Sequence, residues 1–243
     1  MDPLVLENVY HTYNGQPALS GVSLRFHEKK ITAVVGRSGS GKSTLLQVLN
    51  GMLRPAQGQV FFQGQPFDYA RAAALRLQMG YVIQGIGLFP HMTVEQNILI
   101  NTRLQRPANG TDPVARMHSL MQRMNLAEAY GKKYPHELSG GEQQRVGICR
   151  ALLPNPTVLL MDEPLGALDS ITREDIQREI LQLQQSEERT VVIITHNPQE
   201  ALALGDYIVV LEAGKVLQYD TKENVLKNPA NTLVERLTST RTV

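Results

Sequence analysis

The residues best suited to chemistry fall in GRSGSGKST, Gly36 to Thr44, set between a short apolar run and an amphipathic one. Gly36, Gly39 and Gly41 free the backbone to curl its N–H groups around an anion. A helix starting there adds partial positive charge. Lys42 can reach terminal phosphates, the Ser43 hydroxyl can ligate Mg²⁺, and Arg37, Ser38, Ser40 and Thr44 complete the loop. The spacing GxxxxGK(S/T) arises by chance in roughly one chain in a hundred of this size. The ligand implied is a nucleoside triphosphate. Many nucleotide enzymes share such a loop, so the reaction must be read from other residues.

Those residues need strands to aim them. Ile31 to Val35 reads as a buried parallel strand running into the loop, and Leu45, Leu46, Val48 and Leu49 after it fall at helical spacing. Thr157 to Met161 is a second apolar strand that ends in Asp162 and Glu163, and Val191 to Thr195 is a third that ends in His196. Tyr81 to Ile83 makes a brief strand ending in Gln84. Ligands of open α/β sheets bind outside the carboxyl ends of the strands, so these side chains can converge on the phosphates. Asp162 can hold the Mg²⁺ shell, Glu163 can orient a water for in-line attack on the γ-phosphate, and the Gln84 amide can ligate Mg²⁺ or position water. Taken singly, an acidic pair in a turn, a polar strand end and a structural histidine would explain the same residues.

The remaining chain supplies the frame. Val5, Leu6 and Val9, then Val22, Leu24 and Phe26, alternate about an Asn14-Gly15 turn and predict an antiparallel pair. Tyr13 ends the first strand, where its ring can stack on a nucleotide base; alone it reads as a half-buried strand residue. Gly58 to Phe62 with Gly64 predicts a strand and turn, and Arg71 to Gln78 a helix ending at Gly80. From Gly85 to about Arg150 the pattern is mostly helical, with helices over Val94 to Leu104 and Pro113 to Met124 and a turn-rich candidate linker at RPANGTDP, Arg106 to Pro113. Met117, Leu120, Met121 and Met124 form an i, i+3, i+4, i+7 stripe that reads as core. GIGLFPHM, Gly85 to Met92, predicts a surface loop whose Leu88, Phe89 and Met92 invite a partner. Ser139, Gly140 and Gly141 open a further helix and could make a second anion site or simply cap it. Ser170 to Glu188 predicts an amphipathic helix with a solvated Glu, Gln and Arg face, Pro198 to Ala203 a short helix, Tyr207 to Leu211 with Val216 to Tyr219 a hairpin, and Leu233 to Leu237 a last helix.

Composition narrows the class. The 243 residues allow one large domain or one with a sizeable insertion, and a net charge of +1 gives no basic excess that would advertise nucleic acid. The single Cys149 excludes an intrachain disulfide and leaves no Cys/His zinc cluster. MDPLVLENVY lacks a signal-peptide pattern and no uncharged apolar run could span a bilayer, so the expectation is a chain that serves any membrane from outside the lipid, and its single cysteine suits a reducing cytosol.

Between the helical region and the acidic strand lies LSGGEQQR, Leu138 to Arg145, and with it the whole chain resembles the ATP-binding subunits of ABC transporters. GRSGSGKS is similar to the Walker A motif, VLLMDE to Walker B, Gln84 to the Q-loop, Ala167-Leu168-Asp169 to the D-loop, His196 to the switch histidine and Tyr13 to the base-stacking aromatic. The resemblance implies a P-loop NTPase core, about 1–84 and 151–243, with a mainly parallel sheet, an N-terminal antiparallel β subdomain and a helical subdomain over about 85–150. It implies ATP and Mg²⁺ as ligands, Ser43, Gln84 and Asp162 around the metal, Glu163 orienting water, His196 on the γ-phosphate, and Ser139, Gly140, Gly141 and Glu142 reaching ATP from a second copy in a head-to-tail sandwich. Many relatives have Asp where this sequence has Asn197. The run YVIQGIGLFPHMTVEQNI, Tyr81 to Ile98, resembles the glycine betaine, choline and carnitine importers, which implies permease subunits and, indirectly, a solute-binding protein as partners. Amino acids or other small polar solutes are the alternative cargo. Many such subunits carry carboxyl-terminal CBS domains; the sequence stops short of them, and the expectation is that sensing by that module is absent. Soluble DNA-repair and translation ATPases use the same clamp, but with coiled coils, tandem cassettes or basic extensions not found here, so nucleic acid is not expected as a partner.

Overall fold

The computed structural model describes residues 1–103 and 110–238, excluding the Arg103 side chain. The first half of the candidate linker, 106–109, and Leu104 lie outside those residues. In chain order come β1 (Leu4–Tyr13), β2 (Gln16–Phe26), β3 (Ile31–Val35), α1 (Lys42–Leu49), β4 (Gln57–Phe62), β5 (Gln65–Pro66), α2 (Ala72–Arg76) and β6 (Met79–Val82). Then follow α3 (Val94–Leu99), α4 (Pro113–Arg123), α5 (Gly140–Leu152), β7 (Val158–Asp162), α6 (Ser170–Glu187), β8 (Thr190–Thr195), α7 (Pro198–Leu204), β9 (Tyr207–Glu212), β10 (Lys215–Thr221), α8 (Lys222–Lys227) and α9 (Thr232–Thr238). They form two compact units, Met1–Arg76 with Thr190–Val243, and Leu77–Arg189.

The first unit contains two sheets. In one, the strands lie in the order β2-β1-β4-β5 and all neighbours are antiparallel. Asn14 and Gly15 both take positive φ, as a two-residue hairpin loop requires. In the other, β3 is parallel to β8 on one side and to β9 on the other, while β10 returns antiparallel to β9. All five residues of β3 are buried, which is why its sequence, Thr32 apart, is apolar throughout rather than alternating. Helices α7, α8 and α9 contribute Ala201, Val225 and Val234 to a core with Ala33, Val35, Ile208 and Val210. Helix α8 was not foreseen; its signal is Thr221, whose hydroxyl accepts from the Asn224 amide.

In the second unit β6 and β7 pair in parallel. The methionine stripe of α4 is buried, as expected of core. Two expectations need correction. The helix before β6 stops at Arg76, and Gly80 lies inside the strand, where a Cβ would come within 2.7 Å of the Ala151 carbonyl; close backbone approach, not helix termination, is what that glycine serves. The helix from Val94 keeps α geometry only to Leu99 and tightens to a 3₁₀ turn over Ile100–Arg103.

The ends of α4 and α6 are fastened by charge. Arg116 and Arg123 reach the Glu187 carboxylate at 3.2 and 2.9 Å, Arg189 also bonds it, and the spare guanidinium donors go to the carbonyls of Leu152, Leu153 and Pro156. Burial alone would raise the Glu187 pKa; Arg189 and Arg116 outweigh it and hold the carboxyl below its ordinary 4.5. Because folding lowers this pKa, the stabilisation is fully present above the ordinary value and is lost as pH falls through the folded one. Glu187→Gln should cost about 3 kcal/mol in denaturant unfolding at pH 7. The gap between variant and wild type should persist at pH 6 and shrink below the ordinary carboxylate range.

Candidate nucleotide site

In the first unit β3 delivers the chain into the glycine loop. A Cβ on Gly36 would stand 2.1 Å from the Leu211 carbonyl oxygen and 2.6 Å from Ser40 Oγ, and one on Gly41 would stand 2.3 Å from the Ala18 carbonyl. Both positions exclude every other residue by sterics alone. Gly41 is the N-cap of α1, with φ 101°, and its carbonyl accepts from the Leu45 amide at 2.8 Å. The loop is also tied across to β9 and β10, since the Gly214 amide donates to the Ser40 carbonyl at 2.9 Å.

Lys42 is 6% exposed. Its ammonium lies inside the curl of the loop, donating to the carbonyls of Gly36 and Arg37 at 2.8 Å each. Arg37, Ser38, Gly39 and Ser43 face outward, while Ser40 and Thr44 are buried. The loop thus holds an ammonium against the start of α1, and a glycine-rich loop running into a helix start is the kind of element that suits a polyphosphate.

Parallel register sets Val35 beside Thr195, so Gly36 and His196 leave neighbouring strands at the same level. His196 is exposed there. The Thr195 hydroxyl below it donates to the buried Glu200 carboxylate at 2.8 Å. Asn197 caps α7, its side-chain oxygen accepting from the Gln199 amide at 3.0 Å. Capping is work that Asn does as well as Asp, which accounts for the departure at this position. Tyr13, 47% exposed, rests edge-on to His11 with ring centroids 4.8 Å apart, and its hydroxyl donates to Gln47 of α1 at 3.4 Å.

The second unit assembles a different group. Asp162 ends β7 and is buried; Glu163 follows with φ 44°, a strained conformation for a side chain of its length. The Gln84 amide donates to Glu163 Oε2 at 3.3 Å. Gln84, Gly85, Glu163, Gly166, Leu168, Gly140 and Gln144 line a cavity of about 370 Å³. Ser139 and Glu142 form a reciprocal capping box at the start of α5: Ser139 Oγ accepts from the Glu142 amide at 3.3 Å and Glu142 Oε2 accepts from the Ser139 amide at 2.7 Å. Burial pushes Glu142 up, but the Ser139 bonds, the Tyr130 hydroxyl and Lys133 outweigh it and hold the carboxyl low. Ser139 and Gly140 are exposed, whereas Gly141 is buried and its Cβ would meet Thr172 Cγ2 at 2.3 Å. Asp169 caps α6, and the Thr172 hydrogen bonds lower its pKa.

One pairing escaped the sequence reading. Arg145, the last residue of LSGGEQQR, donates to Glu179 Oε2 at 2.8 Å, and Asn125 donates to the other carboxylate oxygen. Glu179 is 3% exposed, so the acidic residues of α6 are not all on a solvated face. Its position between Ile176 and Ile180 on the apolar face was the available signal, because an acid there must find a cation.

A serine hydroxyl, a carboxylate and an amide oxygen are each hard ligands of the kind that Mg²⁺ takes, and this ion keeps most of its waters. The described residues hold no cluster of three or more His, Cys, Asp or Glu.

The geometry defines a phosphate-binding α/β nucleotide fold. The ABC transporter family model matches residues 19–166, and the chain belongs to that family. It is 43% identical over 234 residues, 96% of its length, to the choline transport ATP-binding protein OpuBA of Bacillus subtilis. It is 40% identical to the glycine betaine uptake system ATP-binding protein YehX of Escherichia coli, over 94% of this chain and 74% of that one. The chain spans about three-fifths of the length of the first curated relatives it matches. A dimeric ATP-binding cassette bound to ADP and Pi superposes with a TM-score of 0.80 at 31% identity, over 90% of this chain and 98% of that one.

Gly36→Ala should weaken binding of a fluorescent ATP analogue by about a hundredfold, near 3 kcal/mol. Gly39→Ala meets open space and only the cost of a left-handed backbone, about 1–2 kcal/mol, and should lose less.

Proposed function

We propose that the chain is the ATP-hydrolysing subunit of an importer that takes up a quaternary-amine osmoprotectant such as glycine betaine, choline or carnitine. The observation that carries the hydrolytic half is the glycine curl around Lys42 on the same sheet edge as His196. The cargo rests on the printed functions of the relatives, among them choline transport and glycine betaine uptake. The chain would act at the cytoplasmic face of the membrane, bound to permease subunits supplied by a solute-binding protein; no described helix is long and apolar enough to cross a bilayer.

In this reading the loop amides from Gly36 to Thr44 and the Lys42 ammonium bind the phosphates, and Tyr13 stacks on the base. Ser43, Gln84 and Asp162 would hold Mg²⁺, which when bound neutralises charge on the β- and γ-phosphates. Glu163, oriented by the Gln84 amide, accepts a hydrogen bond from the attacking water, and His196 contacts the γ-phosphate. Ser139, Gly140, Gly141 and Glu142 belong to the opposite site of a head-to-tail dimer: the Ser139 oxygen accepts within the capping box, leaving its proton free to donate to phosphate. Asp169 at the D-loop lies beside that seam, and residues about 85–150 form the helical subdomain that carries it.

Glu163→Gln should keep ATP affinity within about twofold and lose turnover by a hundredfold or more, as loss of a water-orienting base does. Wild-type turnover in that variant would remove Glu163 from the mechanism. For the cargo, proteoliposomes holding the chain with its co-purified permease should accumulate radiolabelled choline, glycine betaine or carnitine on ATP addition. Accumulation of an amino acid in their place would reassign it.

A further inference from the structure

One face of α5 runs along the segment that joins Gln84 to the exposed loop. Gly140 and Gln144 share a cavity with Gln84 to Ile86; a Cβ on Gly147 would lie 3.5 Å from the Ile86 carbonyl; Arg150 donates to the Gly87 carbonyl at 2.8 Å and sets its guanidinium 6.0 Å from the centre of the Phe89 ring. The spacing of four, three and three residues keeps all four on one side of the helix. Gly87 has φ 55°, so its turn is one that other residues resist, and the Asn101 amide donates back to the Arg150 carbonyl at 3.4 Å. The outer end of the segment is equally held: Asn97 is fully buried and bonds the Phe89 amide and the carbonyls of Phe89, Met92 and Thr93. Phe89 itself is 41% exposed. The inner end is Gln84, whose amide holds Glu163.

We propose that Arg150 is a positioning residue that pins the Gln84–Phe89 segment to the LSGGEQQR helix, so that force on the exposed Phe89 is passed to the Gln84–Glu163 contact instead of being dissipated in the loop. A guanidinium suits the task because it bonds a carbonyl and lies over an aromatic ring at once, where an ammonium does only the first well. The proposal rests on the transporter reading for the origin of the force, but the pinning itself is a property of this chain alone.

Two measurements separate the two. In the isolated chain, hydrogen exchange of the amides between Gly85 and Met92 should be at least about tenfold faster in Arg150→Ala than in wild type, with α6 amides unchanged; equal rates would overturn the pinning whatever the partner. In proteoliposomes with the permease, Arg150→Ala should keep basal ATPase within about twofold and lose most of the solute-stimulated increment. Arg150→Lys should recover part of it. Combining Arg150→Ala with Phe89→Ala should be no worse than either alone. Basal and stimulated rates falling in parallel, or an untouched increment, would contradict the role. A wild-type chain with no stimulation would instead refute the transporter reading on which the force depends, while the exchange result would still judge the pin.

Discussion

Among the glycines the tightest approach is the passage of the Gly36 backbone under the Leu211 carbonyl, where even a methyl group would be 2.1 Å from oxygen. That approach is possible only because β3 lies between β8 and β9, with all five residues buried and both edges paired. The strand fixes where the loop begins, the Gly41 contact with Ala18 fixes where it ends, and what lies between has to curl. Lys42 then has one place to go, inside the curl. The candidate phosphate loop is thus shaped by sheet order as much as by the charged residue that marks it.

The second unit is organised around α5. Its first turn is a capping box that presents Ser139 and Gly140 outward, its middle is locked to α6 by the buried Arg145–Glu179 pair, and its last turn holds the loop that exposes Phe89. A buried ion pair recovers little net energy against hydrophobic packing, but removing one partner strands the other. Here Arg145 and Asn125 each take one oxygen of the Glu179 carboxylate, so the buried charge is paired and both oxygens are satisfied.

Much of this was legible because the residues that do chemistry sit where period and punctuation change. The apolar runs into Gly36, Asp162 and His196 announced parallel strands, and Asn14-Gly15 announced its hairpin. Tertiary close approach was not legible: Gly80 reads as a helix stop until the Ala151 carbonyl is seen beside it, and α2 is shorter than its alanines suggest. Buried polar partners were missed for a related reason. Glu179 and Asn97 have polar side chains in the core, and composition places such residues at the surface unless their partners, distant in sequence, are known. The Ser139 region showed its helix start but not its capping box, although the Glu three positions on was there to be read.

The central proposal is that the loop at Gly36–Thr44 is half of a site completed by Ser139 of a second copy. Ser139→Asp tests it most directly, since Asp caps a helix as well as Ser and so preserves α5, yet sets a negative charge where a γ-phosphate would lie. Sedimentation velocity with a non-hydrolysable ATP analogue should show a dimer for wild type and a monomer for the variant, with nucleotide affinity of the monomer unchanged. Equal dimerisation of the two proteins would contradict the account.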